Sequence, residues 1–526
     1  MRLLFVIALS LCGAMLPVLA ATLSPIDAYY QLVLRQAIPT DKLDVGRDLL
    51  LYLDIHDGKV AGALAHAPTF NKMPATLDFT ALELTEGKLK GTLQLTIAND
   101  GWVPKNGKAF VCEYTLDITV DAGKVTGKWN GRGTENSITG SYSARIPETG
   151  TLRLKLSCQN ALNFGEKLDS RKTTLVITLH DGKGVAVRAI PAGSIADVSC
   201  EMETLEHTVT LTDGKLTGTL KLRVTPQGVS EKNPATVYDY TITGRVIGEV
   251  AGGKLTTLQD GKPVKETGSC MGTVRRGDPP ALGDCLYKLT LHQALGAGAF
   301  IDVYLSSTGG KLTGGFASSP NFNNAMHLVD ISKLTLADGK LAGELGITVL
   351  ADPWIPADHQ PIACSFALDT AIEYGEITGT YAGTAGKTKV TGKLDGALDD
   401  KVALKNITGL TIRLENGLAG TGNHLARAFV GIDIKDGKIV GGSVSNNHDK
   451  TMKGNVTGGE FKLDGDHFTL KVEFILLQSA SATAGKYITT AEGTFVGTMS
   501  AGAFTCTLEN GQPKTSSFWA AVKLGI

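Results

Sequence analysis

The sequence predicts an all-β protein of four tandem antiparallel β units, each a sandwich or a small up-and-down barrel of about eight strands, arranged as two similar halves. Three observations lead there. Apolar and polar residues alternate, Asp-Gly-Lys turns separate the alternating stretches, and those turns return at a fixed spacing along the chain.

The first 20 residues stand apart. Met1-Arg2 precedes an apolar run up to Pro17, and Val18-Leu19-Ala20 supplies the small residues of a signal-peptidase site. Cleavage is expected between Ala20 and Ala21. The run is too short and wrongly flanked for a stable anchor, and Cys12 follows the bulky Leu11, which does not suit a lipidation signal. No later stretch reaches the roughly 18 continuous apolar residues of a spanning helix, so no transmembrane segment is expected after cleavage. The expected location is periplasmic, cell-surface or extracellular.

The turns come next. Asp57-Gly58-Lys59, Asp181-Gly182-Lys183, Asp213-Gly214-Lys215, Asp338-Gly339-Lys340 and Asp436-Gly437-Lys438 each sit between alternating stretches such as Leu51-Tyr52-Leu53-Asp54-Ile55. Glycine takes the left-handed conformation without steric cost and Asp bonds back to the turn, so the triplet suits a tight hairpin with a glycine bulge. Period-two patterning rich in Thr, Val, Leu and Ile makes the flanks half-buried strands.

Spacing turns the hairpins into repeats. One turn glycine recurs at Gly58, Gly182, Gly310 and Gly437, and a second at Gly87, Gly214, Gly339 and Gly465, in steps of 124 to 128 residues. Laying residue n on n+252 also aligns 77–145 with 329–397 without a gap, matching Trp102 with Trp354, Cys112 with Cys364 and Thr139-Gly140 with Thr391-Gly392. The plan is A-B-A′-B′: a signal peptide at 1–20, then units A (21–147), B (148–278), A′ (279–403) and B′ (404–526). Arg275 to Pro280, polar and proline-broken, reads as a linker between two halves that fold independently.

Composition removes some function classes. The 51 basic and 52 acidic residues balance without long blocks of either sign, which argues against nucleic acid as a partner. Of eight cysteines, seven remain after cleavage, an odd number too sparse for a disulfide scaffold. Cys270 and Cys285 are expected to bridge across the linker, whereas Cys112 and Cys364 read as small core residues on equivalent strands. His448-Asp449 and the 464–467 segment match no zinc or calcium ligand spacing, and His56 and His180 read as repeat-equivalent structural positions. No metal or cofactor is expected, and no nucleophile elbow appears.

The most informative feature is a segment shared by A and A′: Asp100, Trp102 and Pro104 match Asp352, Trp354 and Pro356. The chain has four Trp in all, so two in register across a duplication mark a candidate binding segment; the competing reading is an indole that plugs a barrel end. The sequence therefore favours a non-enzymatic cell-envelope or extracellular binding or structural protein, with a polysaccharide or a cell-surface protein as partner. Two rival readings are an exported hydrolase with one specialised unit and an outer-membrane β-barrel, although aromatics at 6% are few for the latter. N-terminal sequencing of the exported protein is expected to begin at Ala21; a retained Met1 would overturn the signal-peptide assignment.

Overall fold

A computed structural model gives the fold, and it describes residues 24–40, 43–66, 76–78, 82–97, 110–121, 123–131, 134–145, 148–159, 161–162, 173–191, 200–226, 234–264, 268–296, 299–319, 325–349, 361–414, 418, 428–446, 449–480 and 482–525. The expected signal peptide lies outside these residues. Every unit is a closed antiparallel barrel, which decides between barrel and sandwich. The first and last strands are Ala28–Thr40 and Thr134–Ala144 in A, Thr151–Gln159 and Gly268–Arg276 in B, Cys285–Leu291 and Thr388–Asp400 in A′, and Ile407–Leu414 and Pro513–Leu524 in B′. Each ring closes where these two strands pair, with Leu32 opposite Gly140, Leu154 opposite Val274, Leu289 opposite Gly396 and Ile412 opposite Ala520.

The repeated turns explain the closure. Where the second and third strands of A, B and B′ meet, the Asp-Gly pairs at 57–58, 181–182 and 436–437 both have φ between 47° and 75°, as do Asp213-Gly214 and Asp338-Gly339 in later hairpins. Two successive residues at positive φ form a type I′ turn, whose twist matches that of the flanking strands. The hairpin of the second and third strands in all four barrels also carries a bulge just before its turn, between Asp54 and Ile55, Thr178 and Leu179, Ser306 and Ser307, and Asp433 and Ile434. The duplication is thus visible down to single extra residues.

Side chains fill the barrels. Inward positions are Leu, Ile, Val, Tyr and Phe, with Tyr30, Tyr114, Tyr240, Phe366 and Phe474 among the largest fully buried. A T-shaped pair, Tyr114 on Trp129 in A, returns 252 residues later as Phe366 on Tyr381 in A′, with ring centroids 5.3 Å apart in both. Outward positions are mainly Lys, Thr, Glu and Asp, as in the strand Lys215–Pro226, where exposed and buried residues alternate. An outer-membrane barrel needs the opposite arrangement, an apolar band facing outward, so that rival reading is set aside. Among the described residues no helix is long and apolar enough to cross a membrane.

Residues 1–147 and 148–526 form two compact units. In the first, the buried Asp54 carboxylate meets Arg145 at 3.0 Å, tying the second strand to the residue that follows the last. In the second, the proline-broken junction is no spacer. Arg275 pairs with Asp400 and Arg153 with Glu376, so B and A′ are packed against each other across the junction, while each keeps its own buried core. A′ in turn meets B′ through Leu286, Tyr304 and Phe316 against Val496, Met499 and Ala501, with Asp466 accepting from Ser306 at 3.0 Å. Glu376 is buried between Arg153 and Arg188, at 3.0 and 3.1 Å. Glu376→Ala removes the carboxylate that Arg153 and Arg188 share, and is expected to lower the unfolding free energy of the mature chain by about 3 kcal/mol in denaturant titration.

Candidate functional site

Asp100, Trp102 and Pro104, with Asp352, Trp354 and Pro356, lie outside the described residues. The strand ends that bound them are described: Lys88–Ile97 and Phe110–Asp121 in A, Lys340–Val349 and Ile362–Glu373 in A′. Beside these ends Cys112 faces Leu95 and Cys364 faces Ile347, and both side chains are buried on equivalent strands, as expected for small core residues.

In B and A′ the long connections leave from one end of the barrel, and the other end carries tight turns. In B the turns at 181–182, 213–214 and 248–249 share one end with Gly277, while the connections 160–172, 192–199, 227–235 and 264–267 leave from the other. In A′ the turns at 309–310, 338–339 and 374–375 share one end, and 292–300, 320–324 and 350–361 leave from the other. Both segments that carry the duplicated Trp therefore join strands at a loop end. Loops on a rigid scaffold are where recognition is commonly built.

Barrels B and A′ stand side by side with their loop ends on the same side. Near the turn ends, His180 stacks on Tyr374 at 4.0 Å, and Arg153 donates to the carbonyls of Gly375 and Leu398 at 3.1 and 2.9 Å. Near the loop ends, Glu201 at the start of Cys200–Thr212 accepts from His292, just past Cys285–Leu291. Between these contacts lies a cleft of about 260 Å³, lined among others by Arg188, Glu203, His207, His292, Lys393 and Asp395.

Its charges are matched across the junction. Lys393 meets Glu203 at 3.1 Å, and Glu203 also accepts from Arg223 at 2.8 Å. His292 bonds Glu201 through Nδ1 at 2.9 Å and Asp395 through Nε2 at 2.8 Å. Burial opposes a charge on this imidazole, but the hydrogen bonds and charges of Asp395 and Glu201 outweigh it and raise its pKa to about 10. His207 on the same wall is pushed down by burial. Both ring nitrogens of His292 are occupied by carboxylates, so it has none left to act as base toward a nucleophile, which weighs against a hydrolase at this site.

The other sequence candidates resolve into structure. His180 lies 3.2 Å from Thr151 and stacks on Tyr374 at the junction, and His56 lies against Asp27 at 2.6 Å. Asp27, His56 and Asp57 could together offer a metal three ligand atoms, but they are largely exposed and Arg145 already lies 3.0 Å from the ring. Asp449 accepts from Thr451, Ser479 and Ala480, shaping a connection. The Cys270–Cys285 bridge is corrected. Cys285 lies beside Ser307 and the carbonyl of Leu282, while Cys270 is inside barrel B with its sulfur 2.7 Å from that of Cys158.

Sequence reasoning missed His292, Glu201, Asp395 and Glu376. The gap-free alignment held a signal for two of them, since Glu376 replaces Lys124 and Asp395 replaces Ser143 between otherwise similar copies.

The chain matches no family model and no curated protein. Among solved structures it is similar to isotype 1 transferrin binding protein B from serogroup B Neisseria meningitidis, at 9% identity over 71% of this chain and 76% of that one, with a TM-score of 0.17. It is also similar to a double mutant of the Haemophilus parasuis Hp5 transferrin binding protein B, at 11% identity over 96% of both chains, with a TM-score of 0.16. At such scores the molecules do not superpose as wholes, and the likeness carries no argument about a partner.

The raised pKa of His292 sets a direction in pH. A histidine favoured as a cation in the fold contributes stability that is full below about pH 6.5 and lost as the pH rises toward 10. The melting temperature of the mature chain is expected to fall across that interval, and His292→Gln to flatten the fall. An equal slope in the variant would mean that other groups set it.

Proposed function

We propose that this protein is an exported, non-enzymatic binding protein that meets a cell-surface protein with the loop rims of its barrels, the segments around Trp102 and Trp354 carrying the contact. One observation supports the reading: B and A′ are locked side by side with their loop ends facing the same way, and the Trp354 segment leaves from that end of A′. Pre-set geometry lowers the ordering cost of binding. The filled interiors leave the barrels without the lumen that a lipocalin-like carrier uses, so recognition moves to the outside.

A protein partner is favoured over a polysaccharide by the outer walls, whose outward positions are mainly charged and hydroxyl side chains, as along Lys215–Pro226, a surface suited to meeting a complementary one. The largest aromatic side chains described are turned inward, where they cannot stack on sugar rings. Linked copies of the rim would raise avidity for a dense target.

The test is retention of the mature protein on intact cells or an envelope fraction. Trp102→Ala with Trp354→Ala is expected to cut retention about tenfold or more at an unchanged melting temperature, as loss of an aromatic anchor does. Protease treatment of the target should abolish retention. Loss after periodate treatment alone would point to a polysaccharide, and no retention on any fraction would defeat the binding reading.

A further inference from the structure

Barrel B closes where Thr151–Gln159 pairs with Gly268–Arg276, and in that ladder Cys158 stands directly opposite Cys270. Both residues are fully buried, and their sulfurs approach to 2.7 Å. Residues directly opposite in an antiparallel pair have Cα atoms about 4.5 to 5.5 Å apart, inside the range a disulfide spans. We propose that Cys158 and Cys270 form a disulfide that staples the seam of barrel B at its loop end.

The remaining cysteines fit this pairing. Cys285 lies in the next barrel beside Ser307, Cys364 points toward the Ile362 carbonyl, and Cys506 accepts from the Thr489 hydroxyl. Cys112 faces Leu95 and Cys200 faces Pro226, so neither has a sulfur directly across the ladder. One bridge leaves five of the seven mature cysteines reduced, which removes the difficulty of their odd number.

The chemistry needs an oxidant, which an exported chain meets as a thiol–disulfide exchange protein or a small disulfide. Each thiol gives up its proton and the two sulfurs together lose two electrons to form one S–S bond. The incoming disulfide gains the electrons and both protons and leaves as a dithiol. Burial holds the Cys158 thiol well above its ordinary pKa, so it is a poor nucleophile inside the finished barrel. The bond therefore forms before the seam closes, and the closed seam then shields it from reductants. The covalent loop includes all the strands of the barrel, so opening the seam no longer frees the first strand from the last. The staple lies next to the strand ends that bound the connections 160–172 and 264–267, and it holds that part of the rim together.

The experiment is non-reducing peptide mapping of the full mature chain recovered from an oxidising compartment, after alkylation in denaturant. It is expected to yield one linked pair joining the Cys158 and Cys270 peptides, with Cys112, Cys200, Cys285, Cys364 and Cys506 alkylated. Reductant should break the bond in denaturant but leave it largely intact in the folded protein. Reduction in denaturant followed by refolding should lower the melting temperature of the wild type by several degrees, and Cys158→Ala with Cys270→Ala should melt at the same temperature with or without that treatment. Alkylation of both cysteines in the unreduced wild type would overturn the proposal, as would linkage of either one to Cys200 or Cys285. Both readouts come from covalent structure and melting, so their failure is separate from failure of the binding reading.

Discussion

Closure of each ring depends on the seam between its first and last strands. A strand that fails to find its partner there leaves two open edges, each a row of unpaired backbone groups, so the seam decides whether the unit is a barrel or an aggregation template. The seam strands must also approach closely. Gly272 in B lies against the backbone of Lys155, and Gly396 in A′ against that of Lys288; a Cβ at either place would run into the opposing carbonyl. The constraint reaches outward from there. With a side-chain period of two, a slip of one residue would turn Leu152, Leu154 and Leu156 out to water, so the type I′ turns that pin the register also keep the core apolar.

A filled core has a consequence for function. Eight strands give an interior just wide enough for side chains, and Leu, Ile, Val and Tyr occupy it in all four units, with Phe added in A′ and B′. What remains for recognition is the outer wall and the two ends. The turn ends carry short connections, and those of B and A′ meet through His180 and Tyr374. The loop ends carry the long connections and are where the copies differ most in length.

The barrels were legible in the sequence because their determinants are local or periodic. Asp-Gly turns, alternation and the 252-residue repeat all survive in a one-dimensional reading, and Cys112 with Cys364 behaved as their apolar neighbours implied. The choice of barrel over sandwich was not legible, since it depends on pairing between strands more than 100 residues apart, such as Leu154 with Val274. The disulfide expectation failed for the same reason. Cys270 and Cys285 are close along the chain but belong to different barrels, whereas Cys158 is distant along the chain and adjacent across the seam. The inter-barrel contacts were hidden further still, because single charges on outward strand positions look like ordinary solvated surface until a second barrel covers them.

The junction also shows how a duplicated scaffold acquires an asymmetric contact. Glu376 accepts from Arg188 and from the buried Thr178, and it pairs with Arg153, while Asp395 holds one face of His292. At the matching positions of barrel A stand Lys124 and Ser143. A copy of this contact made by barrel A would set the ammonium of Lys124 against two guanidinium groups, and Ser143 would leave the imidazolium with one carboxylate instead of two. Like charges at that distance in a buried setting cost far more than an exposed pair returns. The two substitutions therefore supply A′ with the carboxylates that its contact with the wall of B uses. Folding of the repeats and the contact between B and A′ are written in different residues: inward positions and turns keep the barrel, and a few outward charges hold the two barrels together.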